Sequence, residues 1–274
     1  MKCLICANDT PLLFETKLMH KYSVSYHRCI ACGFIQTEKP YWLNEAYQNI
    51  ITTLDIGLLS RNINLSELVS GFVKKNFDPR ARYLDYGGGY GVLVRLLRDK
   101  GLNFYRQDIY CENIFAANRD ITDLDENERR FELVTCFEVF EHTDEPYELL
   151  KRLKQLSPNI LISTLLIPDR VIQSESDWWY FAPETGQHIT FYTRQSFMIL
   201  AEKLNMNFYT NGEDLHLFTT ERLVTNPLQV KPNTFMNKIA HKIRTYLNPA
   251  RNNGHALIEE DLNLAKAKAF GTQS

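Results

Sequence analysis

At 274 residues, with 44% apolar and 23% charged side chains, the chain can bury one large core with smaller attachments and has ordinary globular composition. A formal net charge of −2 gives no general pull toward nucleic acid, and no apolar run reaches the roughly eighteen residues of a membrane span. The N-terminus lacks the hydrophobic stretch of a signal peptide, so a cytoplasmic location is the expectation.

Residues 1–40 are short on helical periodicity and rich in turns, with CANDTP and CIACGFIQ marking two tight loops. Four of the six cysteines fall here, spaced Cys3-x2-Cys6 and Cys29-x2-Cys32. Two residues between cysteines let both thiolates face one ion from a tight turn, and two such knuckles complete a tetrahedron around zinc. With four sulfurs no coordination position stays open, so the expected ion is structural. An iron–sulfur cluster or a redox-active pair are the alternatives that the same spacing leaves open. Gly33 follows the second knuckle, where a loop often needs positive φ.

Residues 41–78 read as a helical linker or cover, because Leu65, Leu68, Val69, Phe72 and Val73 recur at helical spacing. From 79 to 221 short apolar runs alternate with helices. ARYLDY reads as a strand entering the glycines of YLDYGGGYG, and GVLVRLLRDKG as an amphipathic helix ended by Gly101. NFYRQDIY, FELVTCFEVFEH and NILISTLLIP are the next strands, EPYELLKRLKQL and TRQSFMILAEKLN the next helices, and HLFTTERL contains a late edge strand. Buried aliphatic runs separated by helices predict an α/β fold, with a parallel sheet covered on both faces. Residues 222–274 carry eight Lys or Arg against three Asp or Glu, with helix-compatible pieces NTFMNKIAHKIRTYL and ALIEEDLNLAKAKAF. They read as helices packed on the domain or loosely ordered at its end. Their charge also fits peripheral contact with anionic lipid.

A strand that turns through glycines into a helix exposes backbone N–H groups to a ligand. Gly87, Gly89 and Gly91 give a GxGxG pattern, and no GK[ST] follows, which removes the phosphate-binding P-loop reading. Asp85 chooses between the remaining cofactors. A dinucleotide would place its pyrophosphate over this loop and be repelled, whereas S-adenosylmethionine brings an ammonium and a sulfonium that an acid attracts. Asp108, at the end of the next strand, is placed to accept bonds from ribose hydroxyls.

YLDYGGGYG, QDIY and FELVTCFEVFEH resemble the successive motifs of class I S-adenosylmethionine-dependent methyltransferases across residues 83–167. The resemblance implies a Rossmann-like, seven-stranded sheet with helices on both faces. It places the amino-acid end of the cofactor at the motif begun by Asp85, its ribose at Asp108, and Phe137 and Glu138 beside methyl transfer. WLNEAY, LDIGLLSRN and WWYFAPETGQHITFYTRQSF also resemble a narrower group, in which a four-cysteine zinc domain precedes the methyltransferase and which is linked to sugar or surface-polysaccharide modification. One departure is visible: YCENIFAANRDITDLDENERR is compressed and polar where a member has another helix and strand. Asn118, Asp120 and Ile121 could border the adenine there.

An acceptor hydroxyl must lie in line with the methyl group and lose a proton. His142, after the strand in EVFEH, could take that proton or brace the following helix, with Glu141 orienting the imidazole or facing solvent. His188 in ETGQHITFYT could bind the acceptor or serve structure, and His216 is a lesser candidate. Trp178, Trp179, Tyr180 and Phe181 suit either sugar C–H faces or a packed lid. Glu184 and Gln187 could add directional hydrogen bonds. Tyr22, Tyr26, Tyr41, Trp42, Asn44, Glu45 and Tyr47 could line the opposite wall or form an aromatic hinge, and Arg61 with Asn62 could meet a substrate phosphate. The expected function is methyl transfer to a hydroxyl, or an activated carbon, of a sugar nucleotide or surface glycan. Ribosomal RNA as acceptor is the enzyme rival, disfavoured by the mild charge of residues 1–40 and the lack of an NPPY-like motif. A non-catalytic scaffold is the other, disfavoured by the intact Asp85, glycines and Asp108.

Overall fold

In the computed structural model, residues 1–48, 55–229, 261, 263 and 265–267 are described. β1 (Leu12–Leu18), β2 (Tyr22–Arg28) and β3 (Ile35–Thr37) come first, then α1 (Leu43–Ala46) and α2 (Leu58–Asn76). β4 (Arg82–Tyr86), α3 (Val92–Asp99), β5 (Asn103–Gln107), β6 (Leu133–Phe137), α4 (Pro146–Leu156) and β7 (Asn159–Ser163) follow as alternating strands and helices. β8 (Thr190–Phe191), α5 (Arg194–Lys203), β9 (Asn207–Thr210) and β10 (Leu215–Thr219) complete the elements.

The larger sheet has the order β5-β4-β6-β7-β10-β9. Its first four strands are parallel, and β10 runs antiparallel to both neighbours. Side chains alternate between two cores, as the period of a strand requires. Leu84, Tyr105, Val134, Ile160, Ile162 and Phe218 face α4 and α5. Tyr83, Phe104, Leu133, Leu161 and Leu217 face α2 and α3. Burial on both faces is why these strands read as unbroken apolar runs.

Six strands form this sheet among the described residues, where the resemblance implied seven. Outside β5 a single parallel bridge, Arg106 to Asp120, is all that pairs. The polar stretch 108–130 instead makes short 3-10 turns at Ile121–Asp123 and Glu126–Glu128. Its β-branched and aromatic residues, Ile109, Tyr110, Ile114, Phe115, Ile121 and Thr122, are scattered among polar and charged ones and give no alternating run that would hold an edge strand. HLF is also not at the edge: β10 is an interior strand and β9, unforeseen, is the outer one.

The second sheet, β1-β2-β3-β8, joins an N-terminal hairpin to a strand that follows β7 in sequence. Phe14, Val24, Tyr26, Trp42, Trp178, Tyr180, Phe181 and Phe191 bury a third core behind it. The two CxxC knuckles pack elsewhere, with Cys3, Cys29 and Cys32 inside the same core as α4 and α5. The piece NTFMNKIAHKIRTYL lies outside the described residues. Of ALIEEDLNLAKAKAF, residues 261, 263 and 265–267 are helical, and Lys266 pairs with Glu184 at 2.7 Å. Among the described residues no helix is long and apolar enough to cross a membrane.

Candidate active site and cysteine cluster

The glycine loop leaves β4 and enters α3. Gly87 has φ +73°, and a Cβ there would stand 2.5 Å from Val139 Cγ2. Gly91, the residue before α3, has φ +87°, and a Cβ would meet Asn113 Oδ1 at 2.9 Å. Both positions therefore need glycine for conformation and for space. The loop hangs from its neighbours: Gly87 and Gly88 donate N–H bonds to the Gln107 carbonyl, and the Gly89 N–H reaches Asp108 Oδ2 at 2.9 Å. The Asp108 carboxylate also accepts from the N–H groups of Tyr110 and Cys111, both at 2.8 Å. It thus shapes the loop after β5.

Asp85 is buried beneath the loop, with Thr135 Oγ1 donating to its Oδ1 at 2.7 Å. Burial pushes its carboxyl up to about 7, against the lowering effect of the Thr135 bond. Beside it in register lies Arg106, a charge inside a core strand. Its guanidinium donates to the Gly89 carbonyl at 2.6 Å, to Asp120 at 2.6 Å and to the Cys111 carbonyl. Sequence reading missed this arginine. The signal was present, since a charge in the middle of NFYRQ violates the apolar pattern of a buried strand.

Phe137 ends β6, and Glu138 follows with φ +52°, a left-handed conformation uncommon for a side chain with a Cβ. Its backbone N–H and carboxylate are both held by Ser163: Ser163 Oγ donates to Glu138 Oε1 at 2.6 Å. Such a locally constrained residue at the carboxyl edge of a parallel sheet is where α/β folds place their chemistry.

Glu141, His142 and His188 converge just beyond, with one ligating atom of each lying within 4.8 Å of the others. The imidazoles meet edge to face at 4.9 Å. Glu141 does not orient His142. Its Oε1 accepts from the Tyr180 hydroxyl at 2.5 Å, while His142 Nδ1 pairs with the Gln187 carbonyl at 3.0 Å and His188 Nδ1 with the Tyr180 carbonyl at 2.7 Å. Because carbonyls only accept, both Nδ1 atoms carry the proton and each Nε2 keeps its lone pair. Burial lowers His142 to about 4. Burial and then the neighbouring His142 lower His188 to about 3. Burial and the adjacent Glu138 push the Glu141 carboxyl well above the usual range.

Tyr47, after α1, reaches this cluster, 6.3 Å from the His142 ring and stacked on Tyr110 at 5.7 Å. Arg61 is engaged by Asp55 through two bonds of 3.1 and 2.7 Å. The aromatic run divides: Trp178, Tyr180 and Phe181 are core, and only Trp179 is exposed, at 71%. Tyr26 is likewise fully buried, and Trp42 donates to the Gly186 carbonyl at 2.8 Å. His216 is buried in β10 between Thr210 Oγ1 and the Thr164 carbonyl, so it stands away from the other two histidines. Asn118, Asp120 and Ile121 lie along the stretch outside β5, with Asp120 taken by Arg106.

The four cysteines of the knuckles form a second, separate cluster. Cys3 and Cys32 Sγ lie 3.6 Å apart, Cys6 and Cys29 3.4 Å, and Cys6 and Cys32 3.6 Å. Backbone N–H groups of Ile5, Ala31 and Cys32 point at the sulfurs, each at 3.4 Å. Such donors stabilise thiolate, and the spacing is close to that of a tetrahedral metal site, so the cluster could chelate an ion.

The methyltransferase-domain family matches residues 61–210, more than half of the chain, and the chain belongs to that family. Its fold is the class I, Rossmann-like arrangement of S-adenosylmethionine-dependent methyltransferases. No curated protein matches it. Among solved structures it is similar to CalO1, a methyltransferase of calicheamicin biosynthesis, at 10% identity and TM-score 0.40, over 56% of this chain and 54% of that one. It is also similar to an O-methyltransferase family protein from Burkholderia thailandensis, at 14% identity and TM-score 0.43, over 59% and 57%. A third is the 1,6-didemethyltoxoflavin-N1-methyltransferase of that organism, at 13% identity and TM-score 0.45, over 71% and 93%. The chain thus spans little more than half the length of the first two.

Proposed function

We propose that this enzyme transfers the methyl group of S-adenosylmethionine to a hydroxyl of a sugar nucleotide or surface glycan. An activated carbon of a keto-sugar is the second acceptor of the same chemistry. The observation that carries the reading is the meeting of two neutral imidazoles with a buried carboxyl directly past the glycine loop and Glu138. The residues fit the cofactor: Gly87 and Gly91 let the loop turn tightly against Val139 and Asn113, where any Cβ would collide, and Asp85 and Asp108 offer acids to its ammonium and ribose. When bound, the cofactor supplies an electrophilic methyl carbon.

The chain's own part is to hold the acceptor in line and to receive its proton. His142 or His188 accepts it at Nε2, while the carbonyls of Gln187 and Tyr180 keep each ring oriented. Low basicity leaves both rings unprotonated, and so able to accept, throughout the neutral range. A sugar acceptor is supported by the exposed face of Trp179 and by Tyr47 beside the cluster.

Zinc is the ion proposed for Cys3, Cys6, Cys29 and Cys32, in a structural role. We further propose the division into a zinc module at 1–40, a cover at 41–78, the transferase domain at 79–221 and a basic tail, with a cytoplasmic setting. The test is label transfer from methyl-labelled S-adenosylmethionine to a panel of sugar nucleotides. Label should appear in a sugar, and His142→Ala or His188→Ala should slow it by roughly 10²- to 10⁴-fold. Label reaching RNA and no sugar would replace the reading by its rival.

A further inference from the structure

The geometry points to a second cation site, made by Glu141, His142 and His188, that takes a divalent transition ion of the zinc, cobalt or nickel kind. One donor atom from each of the three lies within 4.8 Å of the others, close enough to share an ion. Both imidazoles are arranged as metal-bound histidines usually are, with Nδ1–H on a backbone carbonyl and Nε2 left bare. Those carbonyl bonds fix the ring orientation before any ion arrives.

The carboxylate supplies an independent observation. Glu141 has no exposed surface; its Oε1 takes the Tyr180 hydroxyl, but its Oε2 is buried without any hydrogen-bond partner. A buried acceptor left unmade is costly, and a cation would satisfy it. Local charge agrees. Glu138 adds a second carboxylate, and Arg61, whose charge acts on both glutamates, forms its ion pair with Asp55 through two bonds and not with either of them. Two imidazoles with one carboxylate suit borderline transition ions, whereas magnesium and calcium prefer oxygen throughout.

Three protein donors leave coordination positions open. The inference rests on the reading above to this extent: an acceptor oxygen approaching the cluster could fill one of them. Coordination would make that hydroxyl more acidic, and with both Nε2 lone pairs on the ion its proton would pass to solvent water and not to an imidazole. The site is distinct from the knuckles, because its donors are nitrogen and oxygen and theirs are sulfur.

Cobalt(II) separates the two. The full chain, with its thiolate cluster loaded with zinc, is titrated with cobalt and followed by calorimetry and visible absorption. One equivalent is expected to bind with d–d bands and no sulfur-to-cobalt charge-transfer band, and His142→Ala or His188→Ala should weaken it at least about tenfold. Equal binding by wild type and the His142→Ala/His188→Ala double variant would overturn the site, as would the absence of any cobalt bound beyond the thiolates. A second measurement needs no variant: among the 7 histidines, paramagnetic cobalt should broaden the proton resonances of His142 and His188. Leaving both sharp contradicts the proposal. S-adenosylhomocysteine binding is measured in the same samples. If it persists while cobalt fails, the cation site falls and the methyltransferase reading stands; if it is lost, that reading falls by itself.

Discussion

Asp85 shows how one residue ties folding to ligand binding. Its folded carboxyl is raised to about 7 from 3.8, chiefly by burial. The linkage sign follows: the group favours the folded state below its unfolded value, and that contribution is lost as pH climbs from about 4 through 7. Three units correspond to roughly 4 kcal/mol as an upper scale. The resistance of the ligand-free protein to denaturant should therefore fall over that range, and Asp85→Asn should flatten the slope. A cationic amino group prefers the ionised acid, so affinity for S-adenosylhomocysteine should rise between about pH 6 and 8, with Asp85→Asn removing the trend. The aspartate, the glycines and the four cysteines were legible in sequence because each is demanded by a local constraint: a turn, a close approach or a tetrahedron. What Arg106 and Tyr180 bond to was not. Their partners, Asp120 and Glu141, are 14 and 39 residues away along the chain, and only folding brings them together.

At the scale of elements, the helices and parallel strands declared themselves through periodicity, since both faces of the sheet are buried. The N-terminal hairpin did not, because β1 and β2 bury few residues each and read as turn-rich polar sequence. β8 is only two residues long, and nothing local tells Thr190–Phe191 that its partner is Ile35 and Gln36. The α5 helix links the two regions. Thr193 caps it by accepting from Ser196 N–H at 3.0 Å, and the same hydroxyl donates to the Cys32 carbonyl at 2.6 Å. Thr193→Ala should cost about 1 kcal/mol for the cap, with a further loss at the knuckle. Calorimetry should show a lower melting midpoint, and Thr193→Ser should restore most of it. An unchanged midpoint for the alanine variant would remove the cap from the account.

For the whole molecule, the knuckles pack with Phe34 and Tyr192, which flank the smaller sheet, inside the core of the larger one, so they are part of the main fold's interior. Lys203 of α5 donates to the Ile5 carbonyl at 2.6 Å, and Cys3, Cys29 and Cys32 pack with α4 and α5. Stripping the zinc proposed for the thiolates with a strong chelator should therefore lower one cooperative transition, by on the order of 10 °C. A separate low-temperature transition, with the main one unmoved, would show that the knuckles fold independently. The central claim is that the glycine loop, Asp85 and Asp108 hold S-adenosylmethionine. Calorimetric titration of metal-replete protein with S-adenosylhomocysteine tests it most directly, with NADH as the competing ligand. The account predicts saturable binding at one site, indifferent to NADH and abolished by Gly87→Ala combined with Gly91→Ala. Folded, metal-loaded protein that takes up no S-adenosylhomocysteine, or that binds NADH at the same site, would contradict it.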